Sequence, residues 1–240
     1  MTNLVKAAIA RGETVRGLHL TFPAPVVIEV AASLDLGFVY LDGEHGAFEL
    51  RDIEACCVMA ERHGITPIAR VAENTVSAIT RFLDRGVRGI VVPHVETVEE
   101  ARRAVAATYF APFGDRSFGG GRPHAHMTAT DLPRHLREAN AGVSLCLMIE
   151  SAAALDAMAG IVALEGVDYV SFGMMDLAQS LGHAGEPGHP AVREAVRAAS
   201  ETARAAGKPV REDFMVLAWI NDAIRAGMRQ LLDGAGGRGT

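Results

Sequence analysis

Short apolar runs alternate with helix-forming segments along almost the whole chain, and this alternation restricts the fold more than any other feature. The apolar runs predict strands at residues 17–22, 38–41, 67–71, 89–93, 143–149, 169–172, 208–210 and 228–232. Segments with helical periodicity lie between them, at 25–34, 49–63, 75–85, 97–108, 131–141, 152–164, 191–206 and 216–226. We therefore predict an α/β protein, a parallel (β/α)8 TIM barrel forming a single domain over residues 1–240. A doubly wound open sheet is the alternative fold.

Composition excludes several classes of partner. The formal net charge of -6 provides no basic surface, so we expect no nucleic acid partner. No apolar run approaches the roughly 20 residues that a membrane helix needs, and we expect neither a membrane partner nor a secretory signal. The cysteines at 56, 57 and 146 lie in apolar runs, which is typical of buried thiols in a reducing compartment such as the cytoplasm.

Charged and polar residues are concentrated where the predicted strands end. In a barrel of this kind the chemistry lies at the carboxyl ends of the strands. The densest group is the turn 41–46, with sequence LDGEHG, directly after the second strand. The residues at predicted strand ends are His19, Asp42, Glu44, His45, Arg70, His94, Glu150 and Asp176. This ring of polar side chains indicates an enzyme.

Two carboxylates, Glu150 and Asp176, follow successive strands and should lie close together. Like charges that close cannot both ionise without a compensating cation, so a divalent ion such as Mg²⁺ or Mn²⁺ is one interpretation. The other is that each carboxylate caps the helix that follows it.

Arg70 ends the third strand with a charge that persists at any physiological pH. It could hold negative charge that develops on a substrate oxygen, or it could form a structural ion pair with Glu44 or another acid at a strand end. His45 lies three residues after Asp42, a spacing at which the carboxylate can orient the imidazole for proton transfer; the alternative is a surface histidine in a turn.

The chain has two lysines, and neither is placed for covalent chemistry. Lys6 precedes the first strand and Lys208 opens the predicted seventh strand, on the opposite rim. A Schiff-base mechanism needs a lysine amine inside the pocket. Carbonyl chemistry in this protein would therefore depend on a metal ion.

Several spaced motifs occur together between about residues 17 and 190. They are FVYLDGEHG at 38–46, TPIARV at 66–71, GIVVPHVET at 89–97, PFGDRS at 112–117, MIE at 148–150, and DL at 176–177 followed by SLG at 180–182. In this order they resemble the motifs of the HpcH/HpaI aldolase family, the class II, metal-dependent pyruvate aldolases.

The resemblance implies reversible aldol cleavage of a 4-hydroxy-2-oxo acid to pyruvate and an aldehyde through a metal-bound pyruvate enolate. It implies that Glu150 and Asp176 hold a divalent ion (Mg²⁺, Mn²⁺ or Co²⁺) and that Arg70 holds the enolate oxygen. It further implies that His45, oriented by Asp42, moves the proton. Backbone N–H groups around Gly173 and Met175, with Asp176, would bind the substrate.

The sequence departs from the family pattern in three places. Met148 stands where many members have a glutamine, and Met174-Met175 replaces a pair such as Pro-Asn. Family members continue after the last strand into a helix that neighbouring subunits often exchange, whereas this chain has a glycine-rich ending. We expect a homo-oligomer with a shortened or atypical C-terminus. The family resemblance would imply a hexamer of dimers that exchange this helix, and the different C-terminus argues against assuming that assembly.

Three other functions remain open. A CoA-ester lyase resembling the citrate lyase β-subunit would need basic residues at the mouth, for which the long loop offers Arg116 and Arg122. Oxaloacetate decarboxylation could use the same enolate chemistry. A non-catalytic barrel could bind a small acid, or a phosphate at the glycines of 234–239. His124 and His126 have no obvious third metal ligand, which favours a loop role.

Overall fold

The computed structural model of the protein describes residues 2–235. Within this range the strands are β1 (Val15–Leu20), β2 (Phe38–Asp42), β3 (Thr66–Arg70), β4 (Gly89–Val92), β5 (Ser144–Ile149), β6 (Tyr169–Phe172) and β7 (Met215–Trp219). The helices are α1 (Leu4–Arg11), α2 (Pro25–Ala31), α3 (Leu50–Arg62), α4 (Val76–Leu83), α5 (Val98–Thr108), α6 (Leu132–Gly142), α7 (Ala152–Val162), α8 (Met174–Ser180), α9 (Pro190–Ala205), α10 (Arg211–Phe214) and α11 (Ile220–Ala235). Short 3₁₀ segments cover Ala32–Leu34 and Arg122–Met127.

Hydroxyl side chains fix the starts of several helices just after the strands. The Oγ atoms of Thr75, Thr97 and Ser151 each accept a hydrogen bond from the backbone N–H three residues later. Such caps satisfy N–H groups that have no partner within the helix. They also fix the chain's direction where β3, β4 and β5 end, which is where the polar side chains lie.

The described strands form one parallel sheet in the order β6-β5-β4-β3-β2-β1-β7. Their carboxyl ends therefore meet at one edge, which we call the mouth. Register places Asp42 of β2 beside Arg70 of β3, and His19 of β1 beside Trp219 of β7. Neighbouring residues in register face the same side of a sheet, so each pair projects together.

The sheet carries an apolar layer on each face. One cluster fills the space between the strands and the surrounding helices and includes Leu41, Ile90 and Leu147. The other lies on the concave face, where Phe38 and Ile68 pack with side chains of α1 and α10. The polar residues at the mouth continue the rows of this second, inner cluster.

The prediction of a closed (β/α)8 barrel is wrong, because the sheet is a curled half-barrel of seven strands in the described chain. β7 pairs with β1, and the predicted seventh strand at 208–210 forms only a single bridge, between Val210 and Val170. The backbone N–H of Val210 donates to Asp213 Oδ2 at 3.0 Å, at the start of the helical turn α10. The ladder therefore stops after one residue.

The predictions for the last forty residues also need correction. The segment 216–226, predicted as a helix, is β7 up to Trp219 and becomes helical only from Ile220. The predicted eighth strand at 228–232 lies inside α11. Its apolar residues Met228, Leu231 and Leu232 are spaced as on one helix face and are exposed. Residues 236–240, with most of the glycines considered for phosphate binding, lie outside the described residues.

The three cysteines are buried free thiols, as predicted. Within residues 2–235, none of the helices combines the length and apolar character that crossing a bilayer requires.

Candidate active site

Arg70 and Asp42 form a bidentate pair at the mouth. Arg70 Nε donates to Asp42 Oδ1 at 2.9 Å, and its terminal nitrogen Nη2 donates to Oδ2 at 2.6 Å. The second terminal nitrogen, Nη1, lies 2.8 Å from Glu44 Oε2. His19 Nε2 lies 3.4 Å from Asp42 Oδ2. We call His19, Asp42, Glu44 and Arg70 the paired half of the mouth; none of their side chains is more than 11% exposed.

Asp42 and Arg70 keep their charges despite being buried. Burial opposes ionisation of Asp42, but its contacts with His19 and Arg70 hold the pKa of that carboxyl well below its usual range. Burial likewise works against the charge on Arg70, and the hydrogen bond to Asp42 nevertheless raises its pKa. The backbone N–H groups of Glu44 and His45 each donate to Asp42 Oδ1 at 3.2 Å. The turn that follows β2 is thus wrapped around one ionised carboxylate.

His94 connects this half of the mouth to Glu150. It follows β4 with a φ of 53°, in the left-handed region that residues other than glycine seldom adopt. In that conformation its backbone N–H donates to Glu150 Oε1 at 2.5 Å, and its Nδ1 lies 3.3 Å from the same oxygen. Its Nε2 lies 2.8 Å from Glu44 Oε1. A continuous polar chain therefore runs from Asp42 through Arg70, Glu44 and His94 to Glu150.

Glu150 and Asp176 line one cleft. Glu150 is buried after β5, whereas Asp176 is exposed in the first turn of α8. The cleft has a volume of about 470 Å³ and is also lined by His94 and Gln179. We call His94, Glu150 and Asp176 the acidic half of the mouth.

Gly173 makes room for the buried carboxylate. A Cβ atom at this position would lie 2.2 Å from Glu150 Oε2, so any side chain would displace the carboxylate. Burial raises the pKa of Glu150, working against the hydrogen bond from His94, and the charges of Glu44 and Asp176 act in the same direction as burial. Unlike Asp42, this carboxylate has no arginine beside it among the described residues.

The acidic half fits a divalent cation with few protein ligands. No group of three or more His, Cys, Asp or Glu side chains in residues 2–235 is arranged to hold a metal ion. Hard ions such as Mg²⁺ are commonly held by one or two carboxylates, with water and substrate oxygens completing the shell. Glu150 and Asp176 provide those two carboxylates on one cleft.

The structure gives less support to the roles predicted for His45, Gly173 and Met175. The His45 side chain is 68% exposed, and its Nε2 lies 4.0 Å from Glu44 Oε2. Asp42 binds the backbone N–H of His45 rather than its ring, so the proposed proton-transfer role stays a prediction. Gly173 N–H donates to Ile149 O at 3.3 Å and is already used. Met175 lies exposed in the first turn of α8.

The arginines considered for a CoA-ester lyase lie away from the mouth. Arg116 donates to Asp84 Oδ1 at 3.0 Å, and Arg122 pairs with Glu61. Both line a cavity together with residues that precede β4 and β5, at the opposite edge of the sheet. His124 Nδ1 lies 3.3 Å from Nε2 of His135 in α6, in a partly buried contact.

Sequence reasoning identified the strand-end ring but left His19 and His94 without a role. His94 had one usable signal, its position directly after β4. Its left-handed backbone, which turns both the N–H and the ring toward Glu150, is visible only in the structure.

Comparison with known proteins gives one family. The sequence profile described as HpcH/HpaI aldolase/citrate lyase matches residues 16–228. A hydroxypyruvate/pyruvate aldolase of Cupriavidus necator is 35% identical over 206 residues, which cover 86% of this chain and 76% of that protein. A 2-keto-3-deoxy-L-rhamnonate aldolase of Klebsiella pneumoniae is 33% identical over 208 residues, covering 87% and 78%.

Solved structures agree with the sequence comparisons. A family member from Burkholderia cenocepacia superposes with a TM-score of 0.88 at 28% identity, covering 98% of this chain and 99% of the other. The citrate synthase SbnG superposes with a TM-score of 0.85 at 28% identity, covering 98% of each chain.

Proposed function

The chain belongs to the HpcH/HpaI aldolase/citrate lyase family, and we propose that it is a divalent-metal-dependent aldolase that reversibly cleaves 4-hydroxy-2-oxo acids to pyruvate and an aldehyde. The aldolase activity follows from the family and from aldolases that share about a third of the sequence. The names of two such relatives, hydroxypyruvate/pyruvate aldolase and 2-keto-3-deoxy-L-rhamnonate aldolase, both specify 2-oxo acids. The metal and the roles of individual residues belong to the proposal.

One observation carries the proposal: a rigidly held arginine and an uncompensated pair of carboxylates share one mouth. Asp42 and Glu44 fix the guanidinium of Arg70 on two sides. Across the Glu44–His94 contact lie Glu150 and its cleft. A 2-oxo acid has two oxygens for a cation and becomes an enolate whose oxygen needs a donor, and this mouth offers both features.

Each half then has a separate task. A divalent ion held by Glu150 and Asp176 would supply Lewis acidity to the 2-oxo group. Arg70 stabilises the negative charge that develops on the enolate oxygen, and its fixed position means that little reorganisation is needed when the charge appears. His94 keeps the Glu150 carboxylate oriented by donating its backbone N–H.

The proton and the carboxylate need two further groups. In this proposal His45 moves the proton that is exchanged with the aldol hydroxyl, and its exposure leaves the ring free to turn toward the mouth. The N–H groups in the first turn of α8, including that of Met175, bind the substrate carboxylate, because helix N-termini favour anions. The N–H of Gly173 contributes by holding the turn to β5.

A panel of aldehydes incubated with pyruvate and Mn²⁺ tests the activity, with product detected by mass spectrometry. Activity should disappear in excess EDTA and return with Mg²⁺, Mn²⁺ or Co²⁺. Full activity in EDTA would contradict the metal requirement, and no condensation or cleavage with any aldehyde would contradict the activity itself.

His45 can be tested in the same assay. His45→Asn should lower the aldol rate by about 100-fold or more, which is the usual contribution of a positioned acid–base group. His63→Asn, at the end of α3, serves as the matched control. Equal rates in the two variants would remove His45 from the mechanism.

The assembly and location are proposed from the family resemblance alone. We propose a cytoplasmic homo-oligomer; light scattering coupled to size-exclusion chromatography would measure its mass.

A further inference from the structure

A cavity lies at the edge of the sheet opposite the mouth, where β4 and β5 begin. Its volume of about 760 Å³ is larger than that of the cleft at Glu150. Its walls come from the end of α3, the residues before β4 and β5, the 3₁₀ segment Arg122–Met127 and α6. Three of its lining residues are arginines, Arg88, Arg116 and Arg122. The proposed aldolase chemistry uses none of them.

Arg116 contributes the most buried charge of this cavity. Its side chain is 3% exposed, and Nη2 donates to Asp84 Oδ1 at 3.0 Å. Burial lowers the pKa of Arg116 despite that contact. Arg70 at the mouth, by contrast, has two carboxylates beside it, and its pKa is raised despite burial. Because arginine stays protonated at physiological pH, Arg116 remains a buried cation with too little negative charge around it.

The other two arginines share one carboxylate, that of Glu61. Arg122 pairs with Glu61 Oε2, whereas Arg88 Nε lies 3.6 Å from Oε1, beyond hydrogen-bond distance. The side chains of Arg88 and Arg122 are 29% and 31% exposed, so both remain accessible. Glu138, a second acid on the cavity wall, already accepts from Arg134 at 2.7 Å. The two arginines therefore have room for a further acceptor.

Backbone and ring contacts fix two of the arginines. The backbone N–H of Arg88 donates to Pro67 O at 2.8 Å. The backbone N–H of Arg116 donates to Tyr109 O at 3.0 Å, and its guanidinium carbon lies 4.7 Å from the centroid of the Phe110 ring. Residues that are already ordered lose little freedom when a ligand binds.

The charge balance favours an anion with several oxygens. Two carboxylates, Glu61 and Asp84, serve the three guanidiniums, so the cavity retains positive charge. A carboxylate matches a single guanidinium fork. A phosphate group carries up to two negative charges and has three oxygens that can accept from separate donors. The volume also leaves space for the remainder of a small molecule.

We propose that this cavity binds the phosphate group of a small phosphate monoester, with Arg88, Arg116 and Arg122 as its donors. The rest of the ligand lies along α6, where His135 and Ala139 line the cavity. The site is at the opposite edge of the sheet from the mouth. The inference does not depend on the proposed aldolase function, because binding can be measured without turnover.

The test is a calorimetric titration of the metal-free protein with inorganic phosphate and with glycerol 3-phosphate at matched ionic strength. We expect one anion per chain, and weaker binding of succinate, a dianion without a phosphate group. Arg88→Gln and Arg116→Gln each remove one charged donor and should weaken binding of both phosphates about tenfold or more. Arg193→Gln, an exposed position on α9, is the matched control and should leave the affinity unchanged.

Several results would overturn the inference. One is the absence of binding by both phosphates, or heats that chloride reproduces at the same ionic strength. Unchanged affinity in Arg88→Gln would place the anion elsewhere, including at the mouth. An equal loss in Arg193→Gln would show a response to overall charge, and tighter binding of succinate would exclude the phosphate preference. If Arg116→Gln does not fold, the affinity of Arg88→Gln decides alone.

Discussion

The paired half and the acidic half of the mouth lie on the same sheet edge but balance their charges differently. In the paired half, Arg70 stands between two carboxylates, and burial has not prevented ionisation, since the pKa of Asp42 is lowered. In the acidic half, Glu150 is also buried and has no arginine or lysine beside it in the described chain, and burial raises its pKa. A buried carboxyl group thus stays ionised more readily beside a guanidinium and less readily without one.

This difference distinguishes a preorganised ion pair from a pair of carboxylates that has no fixed cation. A bidentate ion pair needs nothing from outside and can stabilise charge on a substrate at once. A buried carboxylate without a fixed cation is unfavourable unless an ion or a proton joins it. This difference supports the proposal that the paired half stabilises the transition state and the acidic half binds a cation.

The largest expected effect is the loss of a metal ligand. Glu150→Gln keeps the shape of the side chain but removes the charge, and it should weaken Mn²⁺ more than about 100-fold, beyond what outer-shell changes produce. Aldolase activity should fall to background. The matched control is Glu96→Gln, an exposed acid on the same cleft, which should retain activity within about twofold of wild type because surface substitutions have small effects. Equal losses in both would mean that the cleft acts only through its overall charge.

The next effect is kinetic and falls in the paired half. Arg70→Lys keeps the charge but cannot form the bidentate contact, so kcat should fall by about 100-fold or more. Mn²⁺ affinity should change little, because Arg70 does not contact Glu150. Arg81→Lys, on the exposed side of α4, provides the control. A large drop in Mn²⁺ affinity in Arg70→Lys would break the division between the two halves.

The third effect is on stability. Asp42→Asn leaves the buried Arg70 with one carboxylate instead of two and should lower the free energy of unfolding by about 3 kcal/mol. Folding lowers the pKa of Asp42, so its carboxylate stabilises the protein fully at any pH above the pKa of an aspartate in the unfolded chain. This stabilisation is lost as the pH falls toward the pKa of Asp42 in the folded protein. In urea unfolding, the difference in the free energy of unfolding between wild type and variant should have its full size at pH 7 and decrease below about pH 4.

The control for Asp42→Asn is Asp222→Asn, an exposed acid on α11, which should change stability by no more than about 0.5 kcal/mol. A gap between wild type and Asp42→Asn that stays constant down to strong acid would show that the carboxylate is not held ionised by folding.

The smallest effect concerns the contact between the halves. Glu44→Gln retains the side-chain oxygen that faces Arg70 and a polar group facing His94, but loses the charge. We expect a loss in Mn²⁺ affinity of about tenfold or less, at the lower limit for residues that support a ligand. Calorimetric titration would measure it. A loss as large as that in Glu150→Gln would make Glu44 part of the metal site.

Much of the fold could be predicted from the sequence, up to β6. Runs such as 89–93 and 169–172 are short and bounded, and the structure places strands there. The error lies in the run from Met215 to Ile220, because an unbroken apolar run does not distinguish a strand from a helix. Residues 208–210, predicted as strand seven, do not form a strand. The backbone N–H of Val210 donates to Asp213 instead, a local contact that periodicity does not reveal.

The sequence could indicate which residues lie at the candidate site, but not most of the contacts between them. Strand register explains why Arg70 and Asp42 meet, and of the two interpretations of Arg70 the ion pair with Glu44 is present in the structure. The Asp42–His45 couple could not be judged from spacing, because the direction of the turn decides whether ring or backbone meets the carboxylate. The role of His94 depends on its positive φ, which no residue pattern indicates.

The most direct measurement is a calorimetric titration of the metal-free protein with Mn²⁺, repeated with Glu150→Gln. Cation binding by the acidic half predicts one Mn²⁺ per chain in the wild type and no measurable binding in the variant. The absence of binding to the wild type, or the same affinity in both proteins, would contradict it.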